Sequence, residues 1–104
     1  MARSTAPVFA ALGDETRLQL VARLSTAGPL SIAKLTEGFP MTRQAITKHL
    51  RVMEDAGLVR STTQGRESLW ALEEPRLDQA RRHLQRISSR WDERLDRLKR
   101  LVER

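Results

Sequence analysis

Cysteine is absent from the chain's 104 residues, and so is tyrosine. Without cysteine there are no disulfides, no thiolate metal sites and no cysteine nucleophile. No apolar run approaches the roughly 20 residues needed to span a bilayer. The N-terminal stretch lacks the apolar core of a signal peptide, so a cytoplasmic location is the expectation, with no membrane partner. No glycine-rich phosphate loop occurs. No Ser/His or paired-carboxylate set stands at a meaningful spacing, and an enzyme is not expected. Internal repeats and low-complexity tracts are missing too.

The length suits one domain with a modest core. The net charge is +6 and the pI about 11.2. That balance favours a polyanionic partner. The charge is uneven: residues 76–104 hold ten Lys or Arg against five Asp or Glu, so +5 of the +6 lies there.

Gly and Pro divide the chain into short pieces. Residues 4–12 read as a first helix, with Pro7 in its first turn and Gly13 at its end. Asp14 caps a second helix with an apolar stripe of Leu18, Val21, Ala22 and Leu24, stopped by Gly28 and Pro29. Ser31 caps a third, carrying Ile32, Leu35 and Phe39 and ending near Gly38. Thr42 caps a fourth, running to about Ala56, with Ile46, Leu50 and Met53 as its buried face and Gly57 just beyond. The third and fourth helices meet across a short turn, the arrangement of a helix-turn-helix.

Residues 58–63 and 66–72 read as strands around a Gln64-Gly65 turn. A hairpin directly after a helix-turn-helix is a wing. Pro75 opens a last helix in which Leu77, Leu84, Trp91 and Leu98 recur every seven residues. Ala80, Ile87 and Leu101 fall three positions after members of that series. The slot after Trp91 holds Arg94, with Leu95 beside it. Two apolar positions per heptad make a seam for another helix. The fold class is therefore mainly α with a small β-hairpin: a winged helix-turn-helix with a long C-terminal dimerisation helix. Packing of that helix on its own domain alone is the competing reading.

In the fourth helix Gln44, Thr47, Lys48 and Arg51 stand at i, i+3, i+4 and i+7, opposite the buried face, with Thr42 and Arg43 in the first turn. Gln44 suits a bidentate pair with adenine. Arg43 or Lys48 suits guanine, and Thr47 a phosphate or a thymine methyl. Arg51 is placed to meet backbone phosphate. At the hairpin tip Gln64 and Arg66 reach toward a minor groove or phosphate, with a salt bridge to a nearby acid as the rival role for Arg66. His49 falls on the anchoring face and reads as a packed, hydrogen-bonded side chain. Trp70 reads as packing the wing on the core. Residues 1–74 are thus read as the DNA-binding part. Residues 75–104 are the dimerisation helix of the same structural domain, with Leu77, Leu84, Ile87, Trp91, Leu95 and Leu98 at the dimer interface.

Three stretches together resemble the ArsR family of bacterial winged-helix repressors: ALGDETRLQLVARL (residues 11–24), MTRQAITKHLRVMEDAGLV (residues 41–59) and GRESLWAL (residues 65–72). The resemblance covers nearly the whole chain. It implies a homodimer that binds an inverted repeat in a promoter, with Arg43, Gln44, Thr47 and Lys48 facing the bases. Metal-sensing members place Cys-x-Cys in the first helix of the motif, where this chain has Ser31, Ile32 and Ala33. Others place His and carboxylates along the last helix, where this chain has His83 alone, with Asp78 off its line. The long last helix with WDERLDRL (residues 91–98) resembles a metal-free branch, so no metal and no cofactor is expected. A small-molecule effector stays open. Two other readings also stay open at this point. One is an RNA-binding winged helix, which the lack of aromatics on the reading face disfavours. The other is a protein-interaction module that has lost DNA binding.

Overall fold

The computed structural model describes residues 4–103. Residues 1–3 and 104, which belong to the two parts named above, lie outside the described residues. Five helices and three strands follow in the order α1 (Ala6–Leu12), α2 (Glu15–Ala27), β1 (Leu30–Ser31), α3 (Ile32–Thr36), α4 (Arg43–Asp55), β2 (Val59–Gln64), β3 (Glu67–Leu72) and α5 (Glu74–Val102).

Short polar side chains start three of the helices as expected. Asp14 Oδ2 accepts from the Arg17 N–H at 3.0 Å, Ser31 Oγ from Lys34 N–H at 3.3 Å, and Thr42 Oγ1 from Ala45 N–H at 3.1 Å. Each satisfies a backbone donor that the first turn leaves bare.

Two expectations need correction. In α2 the buried residues are Leu20 and Leu24, whereas Leu18 is 51% exposed and Ala22 faces outward. Leu18 and Leu20 lie about 200° apart round a helix, so only one can face inward. The hairpin is also not alone. Leu30 and Ser31 pair antiparallel with Trp70 and Leu69, giving a three-stranded sheet in the order β1-β3-β2. A two-residue strand wedged between Pro29 and a helix cap has no periodicity to read.

The β2–β3 register pairs Val59 with Leu72 and Gln64 with Glu67. The turn is therefore Gly65-Arg66, one residue later than the sequence suggests. Gly65 has φ +63° while Arg66 does not enter the positive region. Left-handed backbone at the first central position alone is the type II′ pattern that suits a twisted hairpin.

The core is continuous through all layers. Val8 of α1, Leu20 and Leu24 of α2, Leu35 of α3, Ile46, Leu50 and Met53 of α4, Leu58, Val59 and Trp70 are all buried. From α5, Ala80 enters the core and Leu77 packs against it. Beyond that the helix leaves the domain, and the molecule is elongated at 67 × 35 × 20 Å.

Arg76 locks α5 to the rest and is the one buried charged residue among those described. Its guanidinium donates to the Ala56 carbonyl at 3.2 Å, the Ser4 carbonyl at 3.0 Å and Gln79 Oε1 at 3.0 Å. Ala56 caps the C-terminus of α4, where the helix dipole favours a cation. Composition counts Arg76 as one basic residue among many, and only the fold reveals its role.

Candidate nucleic-acid interface

Arg23 of α2 holds the end of α3 and the turn that leads to α4. Its Nη1 donates to the Leu35 carbonyl at 2.8 Å, and the guanidinium lies over the Phe39 ring at 4.5 Å. Gly38, in the turn, has φ +84°, and a Cβ there would sit 3.2 Å from Arg23 Nη2. The backbone conformation thus favours glycine at this point, and a Cβ would also press on the Arg23 side chain.

Fixed in this way, α4 divides its faces sharply. Ile46, Leu50 and Met53 are completely buried. Arg43, Gln44 and Lys48 are exposed on the outside, and Thr47 is half-buried beside them. Among the described residues, no carboxylate lies within ion-pair distance of Arg43 or Lys48. Their charges and donors are free to meet an incoming acceptor.

The remaining site residues carry local duties. Thr42 spends one lone pair on the helix cap, which leaves its hydroxyl proton available. Thr47 Oγ1 donates to the Arg43 carbonyl at 2.8 Å. With the proton engaged, its methyl group becomes the outward feature, which suits a thymine methyl better than a phosphate. Arg51 is more constrained than its spacing suggests. It donates to Glu54 Oε1 at 2.8 Å, and its guanidinium lies 5.1 Å from the centre of the buried Trp70 ring. Ser61 Oγ donates to the other oxygen of Glu54 at 3.4 Å. The Glu54–Ser61 contact links α4 to β2, and Arg51, still largely exposed, pairs with Glu54 beside the Trp70 ring.

At the wing tip Gln64 and Arg66 are exposed. Among the described residues no acid is within ion-pair range of Arg66, so its rival role finds no support. Behind the reading face, His49 is three-quarters covered. Its Nδ1 lies 3.3 Å from Arg17 Nη1 and 3.8 Å from Asp14 Oδ2. Arg17 Nε also donates to the Ala11 carbonyl at 2.6 Å. This cluster fixes α4 on α2 and matches the packed reading of His49. The Arg17 backbone N–H, joined by the charges of Arg17 and His49, holds the Asp14 carboxyl below its ordinary 3.8.

Along α5, Leu84, Ile87, Trp91, Leu95 and Leu98 are between 42% and 58% exposed. Leu101 and Val102 continue the same stripe. Leu77, which the heptad pattern assigns to the seam, instead lies against the core of its own domain. The first two turns of α5 are the anchor, and the unpartnered seam begins at Leu84. Trp91 sits mid-stripe with Arg94 over its ring at 5.5 Å. His83 meets Phe9 of α1 at 5.8 Å between ring centres. Among the described residues no three His, Asp or Glu side chains converge as a metal site. No helix among them is long and apolar enough to cross a membrane.

Comparison with known proteins agrees with this geometry. A family model described as a helix-turn-helix domain matches residues 12–62, the span from α1's end into β2. An ArsR-like transcriptional regulator from Rhodococcus sp. RHA1 superposes with a TM-score of 0.75 at 40% identity, covering 93% of this chain and 91% of that one. The HTH-type transcriptional regulator Rv2034 of Mycobacterium tuberculosis is 34% identical over 88 residues, 85% of this chain and 81% of the relative. The arsenical resistance operon repressor of Bacillus subtilis is 34% identical over 64 residues, 62% of this chain and 61% of that protein.

Proposed function

The chain belongs to the ArsR family of winged helix-turn-helix transcriptional regulators, and from that we propose that it acts in the cytoplasm as a homodimeric repressor reading an inverted repeat in a promoter. The observation that carries this reading is the division of α4. Its inner face is wholly buried, while Arg43, Gln44, Thr47 and Lys48 are presented outward with no internal acid to neutralise the cations. An internal bridging helix would have its charges paired or its polar face covered.

The dimer follows from α5. A run of large apolar side chains from Leu84 to Val102, each two-fifths exposed or more, is more than a small domain leaves to water without a purpose. A second copy of the same helix supplies a self-complementary cover. Two reading helices then enter successive major grooves, with half-site centres roughly 10 bp apart or a multiple of that. Gln64 and Arg66 meet the minor groove or phosphate at the flanks. Repression fits the relative named as an arsenical resistance operon repressor.

Footprinting on the fragment upstream of the chain's own coding sequence, with stoichiometry by sedimentation, tests the proposal. Two protected half-sites and two chains per site are expected. A single protected patch filled by one chain contradicts the dimer, and no protection at any sequence contradicts the reader.

A further inference from the structure

One strongly charged surface is unused by the reading helix or the seam. Residues 82–91 contain three arginines and no carboxylate. Arg82, Arg86 and Arg90 follow one another at i, i+4 and i+8, so they form one ridge on α5 with steps of about 6 Å. At about 100° per residue the centre of the ridge lies roughly 130° round α5 from the stripe of Leu84, Ile87 and Trp91, with Arg90 flanking Ile87. All three arginines are exposed, and with Gln85 and Ser89 they line a shallow depression of about 410 Å³.

Like charges four residues apart destabilise a helix, and the surroundings do little to relieve them. Arg82 Nε lies 3.1 Å from Asp78 Oδ2, but Arg81 claims the same carboxylate at 2.7 Å, so two guanidiniums share one negative charge. Among the described residues no acid is within ion-pair distance of Arg86 or Arg90. The carboxylates of this helix lie before the ridge, at Glu74 and Asp78, or past it, at Asp92, Glu93 and Asp96. A helix built only to dimerise has no use for two unpaired guanidiniums, and a third that shares its carboxylate, beside its apolar stripe.

We propose that the Arg82–Arg86–Arg90 ridge is a second DNA contact, gripping duplex phosphates away from those met by α4. It rests on the reading of α4 as a DNA reader, because duplex DNA is then the polyanion in constant reach. The chemistry fits. Guanidinium is the side chain best matched to phosphate oxygens, and Gln85 and Ser89 add neutral donors between the cations. Three guanidiniums in a row with steps of about 6 Å can each meet a separate phosphate of one strand. The phosphates come either from the flank of the bound duplex or from a separate duplex, which the dimer would then bridge.

The test uses the full chain and two probes: a random-sequence 60-bp duplex in solution, and the same duplex on beads offered a second, fluorescent copy. The variants are R82Q/R86Q/R90Q, its charge-keeping partner R82K/R86K/R90K, and Q44A/K48A. Circular dichroism confirms that each is folded. The expected result is that the glutamine variant lowers the slope of log affinity against log salt by about 2.7 per chain, three phosphates at about 0.9 each. The lysine variant should keep the slope. Bead capture of the second duplex by wild type, lost in the glutamine variant, assigns the ridge to a separate duplex. The slope change without any capture assigns it to flanking DNA. An unchanged slope in the glutamine variant overturns the proposal. If Q44A/K48A prefers the fragment upstream of the chain's own coding sequence over the random duplex as strongly as wild type does, the failure lies in the α4 reading instead.

Discussion

Arg76 is the residue whose loss tests the packing logic most severely. Its guanidinium is 8% exposed and joins three segments: the end of α4, the start of α5 and the chain before α1. Hydrogen bonds from a charged donor contribute about 1.5–3 kcal/mol each, and a buried carbonyl left bare costs about 1–3 kcal/mol. Against this stands the desolvation of a cation that no carboxylate neutralises, of order several kcal/mol. The negative end of the α4 dipole offsets part of that cost. Arg76→Met keeps most of the apolar stem but abandons the Ala56 and Ser4 carbonyls, so it should lower the unfolding free energy by about 2–3 kcal/mol. Arg76→Lys can serve only one acceptor at a time and should fall about halfway. Urea unfolding followed by circular dichroism measures this, at one fixed protein concentration because dimer stability depends on it. With a slope of about 1–3 kcal/mol per molar for small proteins, the midpoint of Arg76→Met should drop by about one to two molar. A midpoint that stays or rises refutes the reasoning, because burial of the charge would then outweigh its bonds.

Three further outcomes are expected. Leu95→Glu with Leu98→Glu should turn the dimer into a monomer at micromolar concentration in sedimentation velocity while leaving the helical signal of the winged domain; a dimer that persists places the interface elsewhere. The Asp14 carboxyl titrates lower in the folded chain than in the unfolded one, so its contribution is complete above the unfolded value near 3.8 and is lost as pH falls through the folded value. Asp14→Asn should therefore flatten the stability–pH curve below about pH 4 and leave the neutral range almost parallel to wild type, as read by thermal melts across pH. Thr42→Ala removes the cap of α4 and should cost about 1 kcal/mol in stability, with binding of every duplex weakened alike; unchanged melting means the cap bond to Ala45 adds nothing.

The sequence was most legible where one local rule decides an element. Asp14, Ser31 and Thr42 each begin a helix because a short acceptor meets a bare N–H, and that pairing needs no tertiary partner. The i, i+4, i+7 set of Ile46, Leu50 and Met53 marks a buried face by periodicity alone, which also exposes Gln44 and Lys48. What stayed hidden depends on distant contacts. The two-residue β1 exists only because β3 offers it an edge. Leu18 lies about 200° round α2 from Leu20, and only tertiary packing decides which of the two faces the core. Leu77 follows the seam's heptad but falls where α5 still rests on the domain, and a repeat cannot say where a helix leaves its core. Arg51 has the spacing of a phosphate contact; its bond to Glu54 is an i, i+3 pair that the sequence could have offered, whereas its place beside the Trp70 ring needed the fold. Arg76 gave no sign, since its acceptors are carbonyls 20 and 72 residues away.

The most direct measurement is fluorescence anisotropy of the wild type and of Q44A/K48A, each on the fragment upstream of the chain's own coding sequence and on scrambled duplex, at physiological salt. Reading by α4 predicts tight wild-type binding to the upstream fragment and weak, salt-labile binding to the scrambled one. The variant should lose about 1–3 kcal/mol of that discrimination per residue changed while still holding scrambled DNA. A variant that discriminates as well as wild type contradicts recognition through the exposed face of α4.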